Sequence, residues 1–389
     1  MKTDRVRPDD PGLADQAAGW RGAYVHIPFC RRVCPYCDFA VVADRDDLRD
    51  RYVDAVVAEI AMAEPFGPLQ AVAFGGGTPS RLDAAGLGRI LGALSARFGF
   101  AAAAEVSLEA NPEDWTPGLA EGLVAAGFTR VSLGAQSFDP LVLGDLGRLH
   151  TPDGTRVAVD VAREAGLLNV NLDLIFGSPA ESERSWDHTV AAALSCGVEH
   201  LSTYALTVER GTALSRAVRA GGLAPDPDVQ ADRYERALAA AEAAGLVRYE
   251  TSNHAVAGAA CAYNLLTWGQ GEYEAFGTAA HGHRHRTRYW NVRRVDRYLE
   301  RVESGIRPES GREPLDGADR ERERLILGLR RAAGVVVGSG GKALLASLEG
   351  RRLVEAGVLA LRDGRLVVER PLLGDQASRA VLALTLPDC

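Results

Sequence analysis

Six short apolar runs recur along the chain, each followed by a segment with helical spacing. The runs are YVHIPF (24–29), AVAFGGG (71–77), EVSLEAN (105–111), RVSLGAQS (130–137), NVNLDLIFG (169–177) and HLSTYALTV (200–208). Their apolar residues fall on consecutive positions or nearly so, as expected of parallel strands covered on both faces. Between them, Leu48, Tyr52, Val56 and Ile60 recur at every fourth position and share one helical face. Leu87, Leu91 and Leu94 form a second stripe, with Ser80 as its predicted cap, and Trp186, Val190 and Leu194 form a third. Thr116-Pro117 and Thr151-Pro152 each pair an N-cap residue with proline at the first helical position. Strand and helix in this alternation predict an α/β array of right-handed crossovers, a full or partial barrel and not a solenoid. In such arrays chemistry gathers where the strands end.

The flanks read differently. Residues 1–23 carry early arginines and several acids but no apolar core, so they are expected to be a flexible lead-in and not a signal peptide. The barrel is expected over 24–220, with a family-specific extension over 221–311 completing it. Within that extension 226–253 reads as an amphipathic helix, with Tyr234 and Leu238, then a strand. From 312 to 389 the texture becomes a charged helix, then a helix and a hairpin turning at Asp363-Gly364, which predicts a small helical, winged-helix-like domain. A formal net charge of -8, dispersed along the chain, argues against a nucleic-acid partner. No apolar stretch is long enough to cross a bilayer, and with no export signal a reducing cytoplasm is expected. The six cysteines are then thiols or thiolates, and Cys196, Cys261 and Cys389 stand alone.

CRRVCPYC, residues 30–37, places Cys30, Cys34 and Cys37 in one loop after the first strand. Three thiols are too few for a closed four-ligand zinc site unless His26 joins them, and no second CxxC arm is visible. A four-iron cluster is different: three thiolates hold three corners and leave one iron open to a substrate. Zinc, cluster and unliganded thiols are the readings that the spacing leaves open. Tyr36, just before the last cysteine, is placed to shield a cluster or stack on a bound base. GGGTPS (75–80) ends the second strand, and consecutive glycines let backbone amides approach a ligand. Asp173 within an apolar run needs polar partners, such as a ribose hydroxyl pair.

CxxxCxxC with an aromatic before the last cysteine resembles the radical S-adenosylmethionine (SAM) superfamily. The resemblance implies a radical SAM core, a partial (β/α)6 TIM-like barrel, holding a [4Fe-4S] cluster whose open iron binds SAM. YVHIPFCRRVCPYCDF, FGGGTPS, EANP, RVSLGAQS, LGRLH and NLDLIFGSP together resemble the oxygen-independent coproporphyrinogen III oxidases and the related HemW-type haem chaperones. That family implies SAM contacts from Tyr24, Gly76, Gly77, Thr78 and Glu109. It implies that Gln136, Arg148, Asp173 and Ala205 line the same cleft, touching SAM or a second copy of it. The implied partners are haem or a porphyrin, a haem acceptor protein, and a reductant such as flavodoxin or ferredoxin.

The branch is read from the loop. The oxidases carry a further cysteine two residues beyond the third cluster ligand; here that residue is Phe39, and CxxxCxxCDF resembles the chaperone branch. Oxidase activity is therefore not expected; decarboxylation of coproporphyrinogen III, or radical chemistry on another substrate, are the alternative readings. The chaperones' HNxxYW is YNLLTW here, residues 263–268, so Tyr263 stands where their histidine is implicated in haem binding and Thr267 where they have tyrosine; Asn264 and Trp268 remain. His254, Cys261 and the alternating His281, His283 and His285 are the other nearby candidates for a metal. Because Arg284, Arg286 and Arg288 interleave, a solvated basic strand is the preferred reading of the last three.

Overall fold

The computed structural model describes residues 6–386. All six apolar runs are strands: β1 (Arg21–Ile27), β2 (Leu69–Gly76), β3 (Phe100–Ala110), β4 (Arg130–Gln136), β5 (Asn169–Phe176) and β6 (His200–Ala205). They lie side by side in chain order, each parallel to the next. Helices cross between them, and their apolar stripes bury as the spacing requires. Tyr52, Val56 and Ile60 are 0%, 0% and 1% exposed, and Leu87, Leu91 and Trp186 are likewise buried. Each such side chain contributes about 1.5–3 kcal/mol on leaving water.

The caps locate the helix starts. Thr116 and Thr151 accept from Leu119 N and Gly154 N, as the Thr-Pro pairs predict. Ser80 does not cap the second long helix: it sits in a short 3-10 turn, Pro79–Arg81, and Asp83 accepts from Gly86 N at 2.7 Å instead. The proline in GGGTPS turns the chain before the α-helix begins, which moves the cap three residues on.

The sheet extends beyond the six. Strand Glu272–Phe276 adds in parallel beside β1, and Asn253–Ala255 pairs antiparallel with β6. Hairpins through His281–Arg284, Thr287–Asn291 and Glu309–Pro314 complete a sheet of 12 strands that is not closed on itself. The barrel is therefore partial. Residues 312–314 pair with Thr287 to Tyr289 and so lie in this sheet.

Residues 6–23 are not a free lead-in. Helix Pro11–Ala17 is capped by Asp10, its Ala17 is fully buried, and Ala14 O accepts from Arg331. Small residues on the inner face let the helix pack closely. After helix Gly317–Arg330 the chain forms strand Val335–Val336, two helices, the hairpin Leu359–Arg362 and Arg365–Val368, and helix Gly374–Leu382. The hairpin turns at Asp363 and Gly364, both at positive φ, and a separate apolar core from Leu325 to Val381 holds this part together.

Candidate functional site

The strand ends meet around one cavity of about 520 Å³. Cys30, Cys34 and Cys37 line it from the loop after β1, and Tyr36 lines it between them. Tyr24 comes from β1; Gly76, Gly77 and Thr78 come from the turn after β2. Glu109 (β3), Gln136 (β4), Asp173 (β5) and Ala205 (β6) follow in strand order, and Arg148 enters from the segment after β4. Every residue singled out for the cluster or for SAM thus faces the same space. Consecutive parallel strands end on the same side of the sheet, so distant motifs converge.

The cysteine loop is held at both ends. Phe29–Cys30 pairs with Val42–Ala43, Cys37 N donates to Cys34 O at 3.1 Å, and Pro35 O accepts from Leu214 N at 2.8 Å. Cys30 Sγ lies 3.5 Å from Thr78 Oγ1, and Arg148 donates to Cys34 Sγ at 3.5 Å. Burial pushes the Cys30 thiol up to about 11, so the free side chain is a thiol. Ligation by metal would release its proton.

The glycine turn works through close approach. A Cβ on Gly77 would stand 2.7 Å from the Pro28 carbonyl carbon, and one on Gly75 would stand 2.9 Å from the Glu109 carboxyl. Gly76 has φ +107 and donates from N to Glu109 Oε2 at 3.2 Å. Burial, then the nearby Asp173 charge, raises Glu109 to about 7. Asp173 is also raised by burial, opposed by Ser132 Oγ donating at 2.7 Å and Asn171 Nδ2 at 2.8 Å. Gln136 sits at a register shift between β4 and β5 with φ 61, and its buried Oε1 has no partner among the described residues. A non-glycine residue held in that region, aiming an unpaired acceptor into a cavity, is strain kept for a ligand.

These features fit a cluster and SAM. The thiols line one cavity, the glycine turn packs against Pro28, His26 and Glu109 more closely than any side chain would allow, and Gln136 supplies an orphaned acceptor for a polar ligand. His26 is engaged elsewhere, its Nε2 2.9 Å from Ala40 O, so it does not stand ready as a fourth zinc ligand beside the three cysteines.

Several site residues escaped the sequence reading. Asn111 joins the halves: its Nδ2 donates to Thr78 at 3.0 Å and its Oδ1 accepts from Arg148. Below Asp173 a buried polar chain runs from Asn171 through His200 (2.7 Å) to Tyr249 (2.8 Å), whose hydroxyl accepts from Asn264 at 3.2 Å. Arg130 and Glu105, 2.8 Å apart, lie beside it. The signal was present as alternation: Glu105, Ser107 and Glu109; Ser132 and Gln136; Asn171 and Asp173; His200 and Ser202. Polar residues at a period of two inside apolar strands mark the face that lines the barrel.

Tyr263 reaches the cavity from helix Ala262–Trp268 and stacks on Tyr24, with centroids 5.9 Å apart. Thr267 donates only within its helix, and Trp268 lies under Arg330, 4.4 Å from its ring. Cys261 lines the cavity, and burial pushes its thiol up to about 12. His254 is fully buried between its neighbouring strands and does not line the cavity. The histidine run is not one solvated strand: His281 is exposed, His283 is buried with Nδ1 3.1 Å from Gly271 O, and His285 lies in the turn. Arg284 is buried against Glu274, over the Phe66 ring, and donates to Glu64 O at 3.0 Å.

The fold and this cavity define a radical SAM protein, and the model of the Radical SAM superfamily matches residues 24–193. A solved structure of the coproporphyrinogen III oxidase HemN from Escherichia coli superposes with a TM-score of 0.80 over 95% of this chain and 92% of that one, at 22% identity. The heme chaperone HemW of Mycobacterium tuberculosis is 40% identical over 96% of this chain and 97% of its own length. That of Bacillus subtilis is 33% identical over 81% and 84%. The chain belongs to the HemW branch of the coproporphyrinogen III oxidase-like radical SAM family.

Proposed function

We propose that this chain is a haem chaperone that carries a [4Fe-4S] cluster on Cys30, Cys34 and Cys37, binds SAM beside it, and passes haem to an acceptor protein in the cytoplasm. The observation that carries the reading is the end-to-end likeness to proteins named heme chaperone, 97% of the M. tuberculosis protein being covered. Phe39 supports it: the side chain at the oxidases' extra cysteine position stands 62% exposed at the cavity mouth. Among the described residues no helix is long and apolar enough to cross a membrane.

When bound, the cluster supplies an electron to the SAM sulfonium, drawn from a reductant such as flavodoxin or ferredoxin. The residues of this chain bind and orient. The Gly76-Gly77 backbone, bare of side chains, and the Thr78 hydroxyl would face the methionine end, and Glu109 would accept a hydrogen bond from its ammonium group. Asp173, fixed by Ser132 and Asn171, accepts from the ribose hydroxyls. Tyr24 and Tyr263 close the side of the site with stacked rings and keep water out.

Anaerobic reconstitution, electron paramagnetic resonance with and without SAM, and haem titration test the reading. A cluster signal shifted by SAM together with one-to-one haem binding is expected. Conversion of coproporphyrinogen III to protoporphyrinogen, or no Soret shift with haem, would overturn it.

A further inference from the structure

A second cleft of about 390 Å³ adjoins the cavity and shares Tyr24, Asp38, Phe39, Gly76, Glu109 and Tyr263 with it. Its outer wall is made by Tyr273, His281 and Arg293. Resting on the chaperone reading above, we infer that this cleft is the haem site, with His281 as the axial iron ligand and Arg293 pairing with a propionate.

Four observations support the assignment. Tyr24 stacked with Tyr263, Tyr273 and Phe39 all line the cleft, and a porphyrin presents flat apolar faces to aromatic rings. The cleft contains two histidines. His26 is engaged on both nitrogens, Nε2 2.9 Å from Ala40 O and Nδ1 3.4 Å from the Tyr24 hydroxyl. His281 has no hydrogen-bond partner among the described residues, and its ring is oriented by stacking on Trp290 at 5.9 Å and 24°. A neutral imidazole with a free nitrogen and a fixed ring is an apt haem ligand. Arg293 donates to Asp38 O at 2.8 Å, which holds its guanidinium at the rim beside the cysteine loop. A guanidinium so placed suits a carboxylate.

Tyr263 lies in the wall that the cleft shares with the cavity, its ring stacked on Tyr24 and packed edge-on against Tyr273. The imidazole lost from YNLLTW is thus supplied by a hairpin beside the same helix.

The reconstituted full chain is titrated with ferric protoporphyrin IX. The unaltered protein should give a shifted Soret band. His281→Ala should move that band and weaken binding at least about tenfold. In His281→Gly, added imidazole should restore the band position, which a merely structural role would not permit. Arg293→Gln should weaken haem but not its dimethyl ester, whose propionates carry no charge. No haem binding by the unaltered protein would remove the chaperone reading and this site together. Unaltered haem binding in His281→Ala, same band and same affinity, would overturn the site and leave the chaperone reading standing. Equal weakening of haem and its diester in Arg293→Gln would overturn the propionate contact.

Discussion

Cys30, Cys34 and Cys37 share one short loop but differ in surroundings, since Thr78 faces the first and Arg148 the second. Arg148 donates to sulfur and the Thr78 hydroxyl can do so once Cys30 is a thiolate, which stabilises that state and tunes a cluster. Replacing any of the three by alanine should lower iron after anaerobic loading from about four to below about one per chain. Cys196→Ala should leave it unchanged, because that thiol only caps a carbonyl, Ala192 O, on a helix far from the strand ends. Iron retained in all three single variants would remove the cluster assignment. The cysteines and Asp173 stand out by their own chemistry, whereas Thr78 and Glu109 were legible only through the family resemblance. Asn111 was not. An asparagine before proline reads as an ordinary turn residue, and only the fold reveals that it bridges Thr78 and Arg148.

At the scale of elements, the turn after β2 is the most constrained piece of backbone in the site. Gly77 N donates to Ile27 O at 2.8 Å, so the turn is stitched to the end of β1. Gly77→Ala would force the Pro28 backbone aside, at a cost of about 1–3 kcal/mol. A fall of several degrees in Tm is expected, with loss of the SAM-induced change in the cluster signal. A variant that keeps both would show that the turn has slack. Helix stripes and Thr-Pro caps were read correctly because they are local properties of the chain. The cap at Asp83, the helix Pro11–Ala17 and the burial of Arg284 were not, because each depends on a partner distant in sequence or on a turn that displaces the helix start.

For the whole molecule, Glu59 links the barrel to its extension. Its carboxylate is buried and accepts from Gly277 N at 2.8 Å, Tyr298 Oη at 2.6 Å and Asn291 Nδ2 at 2.7 Å. Burial raises it to about 7, and the three donors pull it back only in part. A carboxyl whose folded value lies above its unfolded 4.5 favours folding while protonated. Its contribution is therefore full below about pH 4.5 and lost as pH rises through about 7, roughly 3 kcal/mol at most. Urea unfolding should show Glu59→Gln less sensitive than the parent between pH 5 and pH 8. Equal slopes would place the Glu59 titration elsewhere.

The sequence by itself determined the six core strands, the crossover helices, the three-cysteine loop, the partial barrel and the family. These depend on periodicity and on residues whose chemistry is rare, and both are written in short windows of chain. Only the tertiary structure decided that a strand from the extension joins the sheet beside β1, and that His281 lines the cleft without a hydrogen-bond partner among the described residues while His254 and His283 are buried. Which nitrogen is left without a partner depends on every neighbour brought up from elsewhere in the chain, and no local pattern encodes that.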